Sequence, residues 1–265
     1  MRFVFDHDLH IHSQLSACSD DPAQNPQRIL DYARENGLTT LCLTDHYWDA
    51  AVPGASRWYK PQDFDHISQA KPLPQGENTR FLFGCETDMD KFFALGIPRE
   101  RFDDFDFVII PTTHLHMMGF TLTEADGASP ATRAKLWVRR LEALLAMDLP
   151  WYKIGIAHLA CPLICNGPRE DYLQTLSLIP EADMQRLFTK AARLGVGIEL
   201  NPGEMKCTDE EADTVLRMFR IAKGCGCKFY CGSDAHHPAG LDKAKAIFEL
   251  AIDRLGLEES DKFRI

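Results

Sequence analysis

The sequence predicts an α/β protein whose parallel strands close into a barrel in preference to an open, doubly wound sheet. Three observations carry this expectation. Short apolar runs rich in β-branched and aromatic residues recur seven times. Helical patterns with recognisable ends separate most of them, and alternation of strand with helix is the mark of a parallel sheet. No glycine fingerprint of the Rossmann type follows a strand, so seven repeats favour the barrel, although periodicity alone leaves closure open. A chain of 265 residues with 45% hydrophobic content is long enough for one full core, and a single domain over residues 1–265 is the simplest organisation.

The seven runs are FVFDHDLHI (3–11), TTLCLTDH (39–46), RFLFGCETD (80–88), FDFVIIPTTH (105–114), KIGIAHLA (153–160), VGIELNP (196–202) and KFYCGSDAH (228–236). Between the first two, Asn25 and Pro26 form a cap and first turn, followed by Ile29, Leu30 and Ala33 and closed by Gly37. Ser129 and Pro130 likewise open a helix carrying Trp137, Leu141, Leu144 and Leu145. Met184, Leu187, Phe188 and Ala191 keep helical spacing up to Gly195, and Thr208 with Glu211 makes a capping box for a helix through Phe219. Ala244, Ile247, Phe248 and Ala251 mark the last helix. Two connections are long, residues 47–80 and 160–180, the first with a weak helical patch around Phe64 and Ile67.

The formal net charge of −10 argues against a surface built to neutralise nucleic-acid phosphates, so no binding of duplex nucleic acid is expected. It leaves room for a phosphate-bearing substrate, because bound divalent cations reverse the sign inside a cleft. No signal-like segment and no long apolar span occurs, so a soluble, unsecreted, cytoplasmic protein without a membrane partner is expected. The nine cysteines lack C-x-x-C spacing, and Cys42, Cys85 and Cys231 sit in apolar runs, which reads as reduced thiols. The nearest cluster, Cys225, Cys227 and Cys231, lacks a fourth ligand. The sequence does not choose an oligomeric state.

The first strand is unusual for its polar face: Asp8, His10 and His12 alternate with Leu9 and Ile11. Nine of the ten histidines fall in or just after the strand runs, His66 being the exception. All strand C-termini of a parallel barrel point to one mouth, so His10, His12, His46, Glu86, His114, His158, Asp234 and His236 are expected to converge. Imidazole nitrogens and carboxylate oxygens suit zinc, manganese or iron, and eight such groups exceed the three or four that one catalytic zinc takes. Two or three divalent ions are therefore expected, with the two oxygens of Glu86 able to bridge a pair. Burying these groups with neither metal nor hydrogen bonds would cost roughly 1–3 kcal/mol each. A single strand histidine is more often a hydrogen-bonded core residue, so His7, His116 and His237 are not counted.

The segments DLHIHS, LTDH, GCE, the histidine of PTTH, that of IAH, and GSDAHHP, in this order and spacing, resemble the PHP (polymerase and histidinol phosphatase) family of metal-dependent phosphoesterases, over residues 8–238. The resemblance implies a distorted seven-stranded, TIM-like (β/α)7 barrel with up to three metals. It implies that the first ion takes His10, His12, Glu86 and Asp234, that Glu86 bridges to a second held by His114 and His158, and that a third uses His46, His236 and a residue shortly beyond the first motif. SACSDD offers Cys18, Asp20 and Asp21 there, and the eight-residue step from His12 favours Asp20. PTTH stands where Gly-Ser-x-His is usual, and the proline often found after the fifth-strand histidine is missing.

The expected chemistry is hydrolysis of a small phosphate ester, histidinol-phosphate-like, nucleotide or sugar phosphate, by a hydroxide held between cations about 3.5–4 Å apart. Glu86 and Asp234 carry the site, and Asp45 either orients a ligand, shuttles a proton or is structural. Substrate contacts are expected from Arg169, Arg57, Lys206 and Asn201, with Lys60 and Glu199 as weaker candidates. Trp48, Trp58 and Tyr59 either form a lid or anchor their loop. The rivals are an amidohydrolase-type enzyme, which often bridges its metals with a carboxylated lysine where this chain offers Glu86, and a non-catalytic metal-binding module.

Overall fold

In the computed structural model, which describes residues 1–265, eight short parallel strands form two sheets. Strands β1 (His7–Ile11), β2 (Thr40–Leu43) and β3 (Arg80–Phe83) make the first, in that order. Strands β4 (Cys85–Glu86), β5 (Val108–Pro111), β6 (Ile154–Ala157), β7 (Gly197–Leu200) and β8 (Lys228–Cys231) make the second. Seven expected strands become eight because the third run divides at Gly84. Gly84 N–H donates to Leu43 of β2 (2.7 Å), whereas Cys85 N–H donates to Phe107, ahead of β5 (3.2 Å). The chain changes partner at this residue, and a Cβ there would lie 2.3 Å from the Phe107 carbonyl and 2.7 Å from Cys42 Sγ. At the outer edges, Asp234 N–H donates to His10 (2.7 Å) and His12 N–H to Ala235 (3.2 Å), which links the segment after β8 to β1.

Helices α1 (Pro26–Asn36), α2 (Phe64–Ile67), α3 (Pro130–Leu145), α4 (Arg169–Leu178), α5 (Glu181–Leu194), α6 (Pro202–Met205), α7 (Ala212–Val215), α8 (Arg217–Gly224) and α9 (Pro238–Leu255) complete the fold. The expected ends of α1 are present: the Asn25 side chain accepts from Arg28 N–H, and Gly37 stops the helix in the left-handed region at φ 69°. Ser129 caps α3 and Gly195 ends α5 in the same ways. The connection 160–180 is not a bare loop, since it contains α4. Only Tyr172, Thr175 and Leu176 of that helix are buried, too sparse a set to give a helical period in sequence. Thr208 and Glu211 make their reciprocal bonds, but the helix expected through Phe219 is split into α7 and α8 about Leu216.

Strand residues alternate between two buried faces. Leu41, Leu43, Phe81, Phe83, Val108, Ile110, Phe229 and Cys231 join the main core of 63 residues shared with the helices. Cys42, Leu82, Phe107, Ile109 and Tyr230 pack instead with Phe263 in a cluster of eight. With both faces buried, the polar groups are left to the strand ends. All nine cysteines are free thiols, and no helix is long and apolar enough to cross a membrane.

Candidate metal centre

Eight side chains from six segments meet at the C-terminal ends of the strands. The period of two on β1 brings His10 Nε2 and His12 Nε2 to 3.0 Å from each other. Glu86, where β4 ends, places Oε2 at 3.4 Å from His10 Nε2, 3.3 Å from His12 Nε2 and 2.9 Å from His46 Nδ1, with Oε1 at 3.5 Å from His158 Nε2. Asp234 Oδ1 stands 3.5, 3.2 and 3.6 Å from His10, His12 and His236, and its Oδ2 3.5 Å from His158. Four overlapping groups have mutually close donor atoms: His10, His12, Glu86 and Asp234; Glu86, His114 and His158; His12, His46 and His236; and His10, His158 and Glu199.

The donor set fits divalent metals. Ligands at about 2.0–2.1 Å from a tetrahedral zinc lie about 3.3–3.4 Å from one another, and the donor atoms here are spaced 2.9–3.6 Å apart, around that value. Both Glu86 oxygens are buried without a hydrogen-bond partner, a costly arrangement unless something else occupies their lone pairs. Burial raises the Glu86 carboxyl, but the imidazoles of His46 and His10 overcome it and hold the group well below the usual range. Asp234 is likewise raised by burial and lowered further by His10 and His158. Both are therefore ionised, as ligands must be. Burial and the neighbouring His12 push His236 down to about 3.

The far nitrogen of most of these imidazoles is tied down, which turns the other toward the cluster. His10 Nδ1 meets Glu199 Oε1 at 2.5 Å, whereas His158 Nδ1 stands 3.3 Å from Glu204 Oε1 as an ion-pair contact without a hydrogen bond. Asp88 Oδ2 accepts from the Tyr59 hydroxyl (2.8 Å) and faces His114 Nδ1 (3.1 Å). Ser16 Oγ faces His12 Nδ1 (3.0 Å) and donates to Asp45 (2.6 Å). Asp45 is buried, also holds Ser13, and does not line the cavity. His158 and Asp234 have φ of 59° and 54°, a left-handed conformation that costs a side-chain-bearing residue energy and that here coincides with the cluster.

The other expected site residues are placed differently. Arg169 makes two 2.8 Å bonds to Glu211 and stacks on Tyr172. Arg57, Lys60 and Lys206 are exposed and outside the cavity lining. Asn201 is buried, caps α6 through Gly203 N–H (2.8 Å), and turns its amide to Glu199 (3.3 Å) and Asp234 (3.4 Å). Asp20 is exposed and stands apart from the cluster, and Asp21 pairs with His237 at 2.9 Å. Cys18 keeps solvent access yet lines the cavity, where burial and the charges of Glu86 and Asp234 push its thiol up to about 12. His7 points away, accepting from Cys231 N–H, and Asp8 accepts from Ser233 N–H and the Tyr32 hydroxyl. Asp88 and Glu204 escape the sequence reading. Asp88 had a signal, two residues beyond Glu86 in a strand run, whereas Glu204 lies in a short helix with none.

The cluster forms the floor of a cavity of about 510 Å³, whose outer wall is Trp58, His116, Met117 and Leu163. A second cavity, of about 440 Å³ between Ala33 and Thr79, gathers no ligand-type cluster.

The PHP domain family matches residues 8–203, about three-quarters of the chain, and the protein belongs to that family. A relative from Vibrio campbellii, named a probable phosphatase, is 25% identical over 232 residues, covering 86% of this chain and 77% of its own. Among solved structures, a histidinol phosphate phosphatase from Lactococcus lactis subsp. lactis, complexed with zinc, L-histidinol and phosphate, superposes with a TM-score of 0.65. It is 18% identical, over 98% of this chain and 99% of that one, so the likeness is one of fold.

Proposed function

We propose that this protein is a metal-dependent phosphoesterase that hydrolyses a small phosphate ester at a di- or trinuclear site. The observation that carries the reading is Glu86, both of whose buried oxygens lack hydrogen-bond partners while His10, His12, His46 and His158 surround them at ligand spacing. Family membership, the phosphatase-named relative and the zinc, histidinol and phosphate of the structural neighbour all support it. We read the two sheets, joined at Gly84 and between β1 and the segment after β8, as one distorted barrel.

In this reading His10, His12, Glu86 and Asp234 hold one ion, Glu86, His114 and His158 a second, and His46 with His236 a third. Cys18 is better sited than Asp20 to complete the third set, since it lines the same cavity. Zinc, manganese or iron in such sites neutralises phosphoryl oxygens and lowers the pKa of water to near neutrality. The chain's own contribution is orientation and charge. Glu199, Glu204, Asp88 and, through Ser16, Asp45 fix the imidazoles, while Glu86 and Asp234 supply the negative charge that retains the ions. The cavity leaves room for the ester's organic part beside Trp58 and Met117.

The test is elemental analysis of the purified protein alongside a panel of phosphomonoesters and phosphodiesters. Bound metal with phosphate release supports the reading. Metallated protein that cleaves no phosphate ester, or that cleaves amides instead, overturns it.

A further inference from the structure

We infer that the site is selective for esters bearing a single phosphate on an apolar, ring-sized organic group, and discriminates against sugar bisphosphates and nucleoside diphosphates. This rests on the phosphoesterase reading above and goes beyond it to the substrate's chemistry.

No lysine or arginine lines the cavity. Its floor carries Glu86, Asp88 and Asp234, which leaves ions bound there as the site's main means of balancing a phosphoryl group. The cations sequence reasoning assigned to substrate are committed or remote: Arg169 is held by both Glu211 oxygens, and Arg57 and Lys206 are exposed outside the lining. Of the two buried arginines, Arg140 spends its donors on the carbonyls of Met89, Asp90, Thr112 and Thr121, and Arg133, with Nε and Nη1 unpartnered, lies outside the cavity lining. A second phosphate would thus be desolvated without a partner. The net charge of −10 also repels polyanions before they dock.

Apart from the His116 imidazole, the wall that would face the organic group is apolar. Trp58 is half-buried, its ring edge-on to His46 at 4.8 Å and to Tyr59 at 4.8 Å, so its position is fixed by the same aromatic neighbours that border the cluster. Met117 and Leu163 continue the surface, and the Tyr59 hydroxyl is already taken by Asp88. An indole wall and a methionine match a flat or bulky apolar group better than a polyhydroxylated one.

The experiment compares benzyl phosphate, glycerol 3-phosphate and fructose 1,6-bisphosphate on the metal-loaded protein; all three release ordinary alkyl alcohols, so leaving-group reactivity does not set the order. Benzyl phosphate should exceed each of the others in kcat/KM by roughly tenfold or more, the scale of a few apolar contacts. Trp58→Ala should raise KM for benzyl phosphate by a larger factor than for glycerol 3-phosphate, and Leu163→Lys should raise kcat/KM for the bisphosphate selectively. Equal or greater efficiency on the bisphosphate, or a Trp58→Ala loss shared by all three, overturns the inference. If none of the esters is cleaved, the phosphoesterase reading has failed. Calorimetric binding of benzylphosphonate against methylphosphonate then decides the apolar preference separately, and equal affinities would refute it.

Discussion

Glu199 offers a quantitative handle on the centre. Its Oε1 lies 2.5 Å from His10 Nδ1, and its Oε2 accepts from the backbone N–H of His158 at 3.3 Å, so one buried carboxylate orients the His10 imidazole and holds the backbone that carries His158. Glu199→Gln preserves size while removing the charge. A hydrogen bond to a charged group contributes about 1.5–3 kcal/mol, and each 1.4 kcal/mol is tenfold in an equilibrium constant. The substitution should therefore weaken zinc binding about 10- to 100-fold, the range usual for partners of ligating histidines. Gly232 provides an independent route to the same pair. A Cβ there would fall 2.3 Å from Glu199 Oε1 and 2.6 Å from His10 Cβ, so Gly232→Ala should weaken binding at least as much. Competitive zinc titration against a chromophoric chelator measures both, with circular dichroism to confirm folding. A folded Glu199→Gln variant with wild-type zinc affinity would refute the positioning role, and a loss of several orders of magnitude would make Glu199 a direct ligand.

Cobalt(II) loaded into the protein should show a thiolate charge-transfer band that disappears in Cys18→Ser and persists in Asp20→Asn; the reverse pattern would return Asp20 to the third site. Arg140 is fully buried with four carbonyl acceptors, so Arg140→Met, which leaves those acceptors without their donor, should cost about 2–3 kcal/mol or more in denaturant unfolding, and a loss below about 1 kcal/mol would contradict that. Burial raises the Asp6 carboxyl, but hydrogen bonds from His7 and Lys262 outweigh it and hold the group at about 2, against 3.8 when free. Because the folded value is depressed, this stabilisation is complete above the free value and is lost as pH falls from about 4 through 2. Asp6→Asn should lower Tm at neutral pH by an amount worth about 1 kcal/mol or less, the side chain being a third exposed, and a gap that persisted near pH 2 would contradict the assignment.

The ligand cluster was legible because strand ends in a parallel fold share one mouth, so residues separated by up to 226 positions, His10 and His236, were expected together before any contact was known. What sequence could not supply was competition for side chains. Arg169 looked available for substrate, yet Glu211, 42 residues on, holds its Nε and Nη2 with both carboxylate oxygens. Asp20 matched a spacing, but the turn after His12 exposes it and brings Cys18 to the cavity. The break at Gly84 follows from crowding by Phe107 and Cys42, neighbours that only the folded sheet defines. Glu204 reaches His158 from a four-residue helix whose apolar pattern is too short to read.

The central claim is tested most directly by stripping the protein with a chelator and then restoring zinc, manganese or iron(II) in turn, following phosphate release from a monoester together with metal content. Hydrolysis should vanish with the metal and return with two or three ions per chain, and His10→Ala or Asp234→Ala should lose metal and turnover together. Undiminished hydrolysis by the metal-free chain, or full turnover by either variant, would contradict the account.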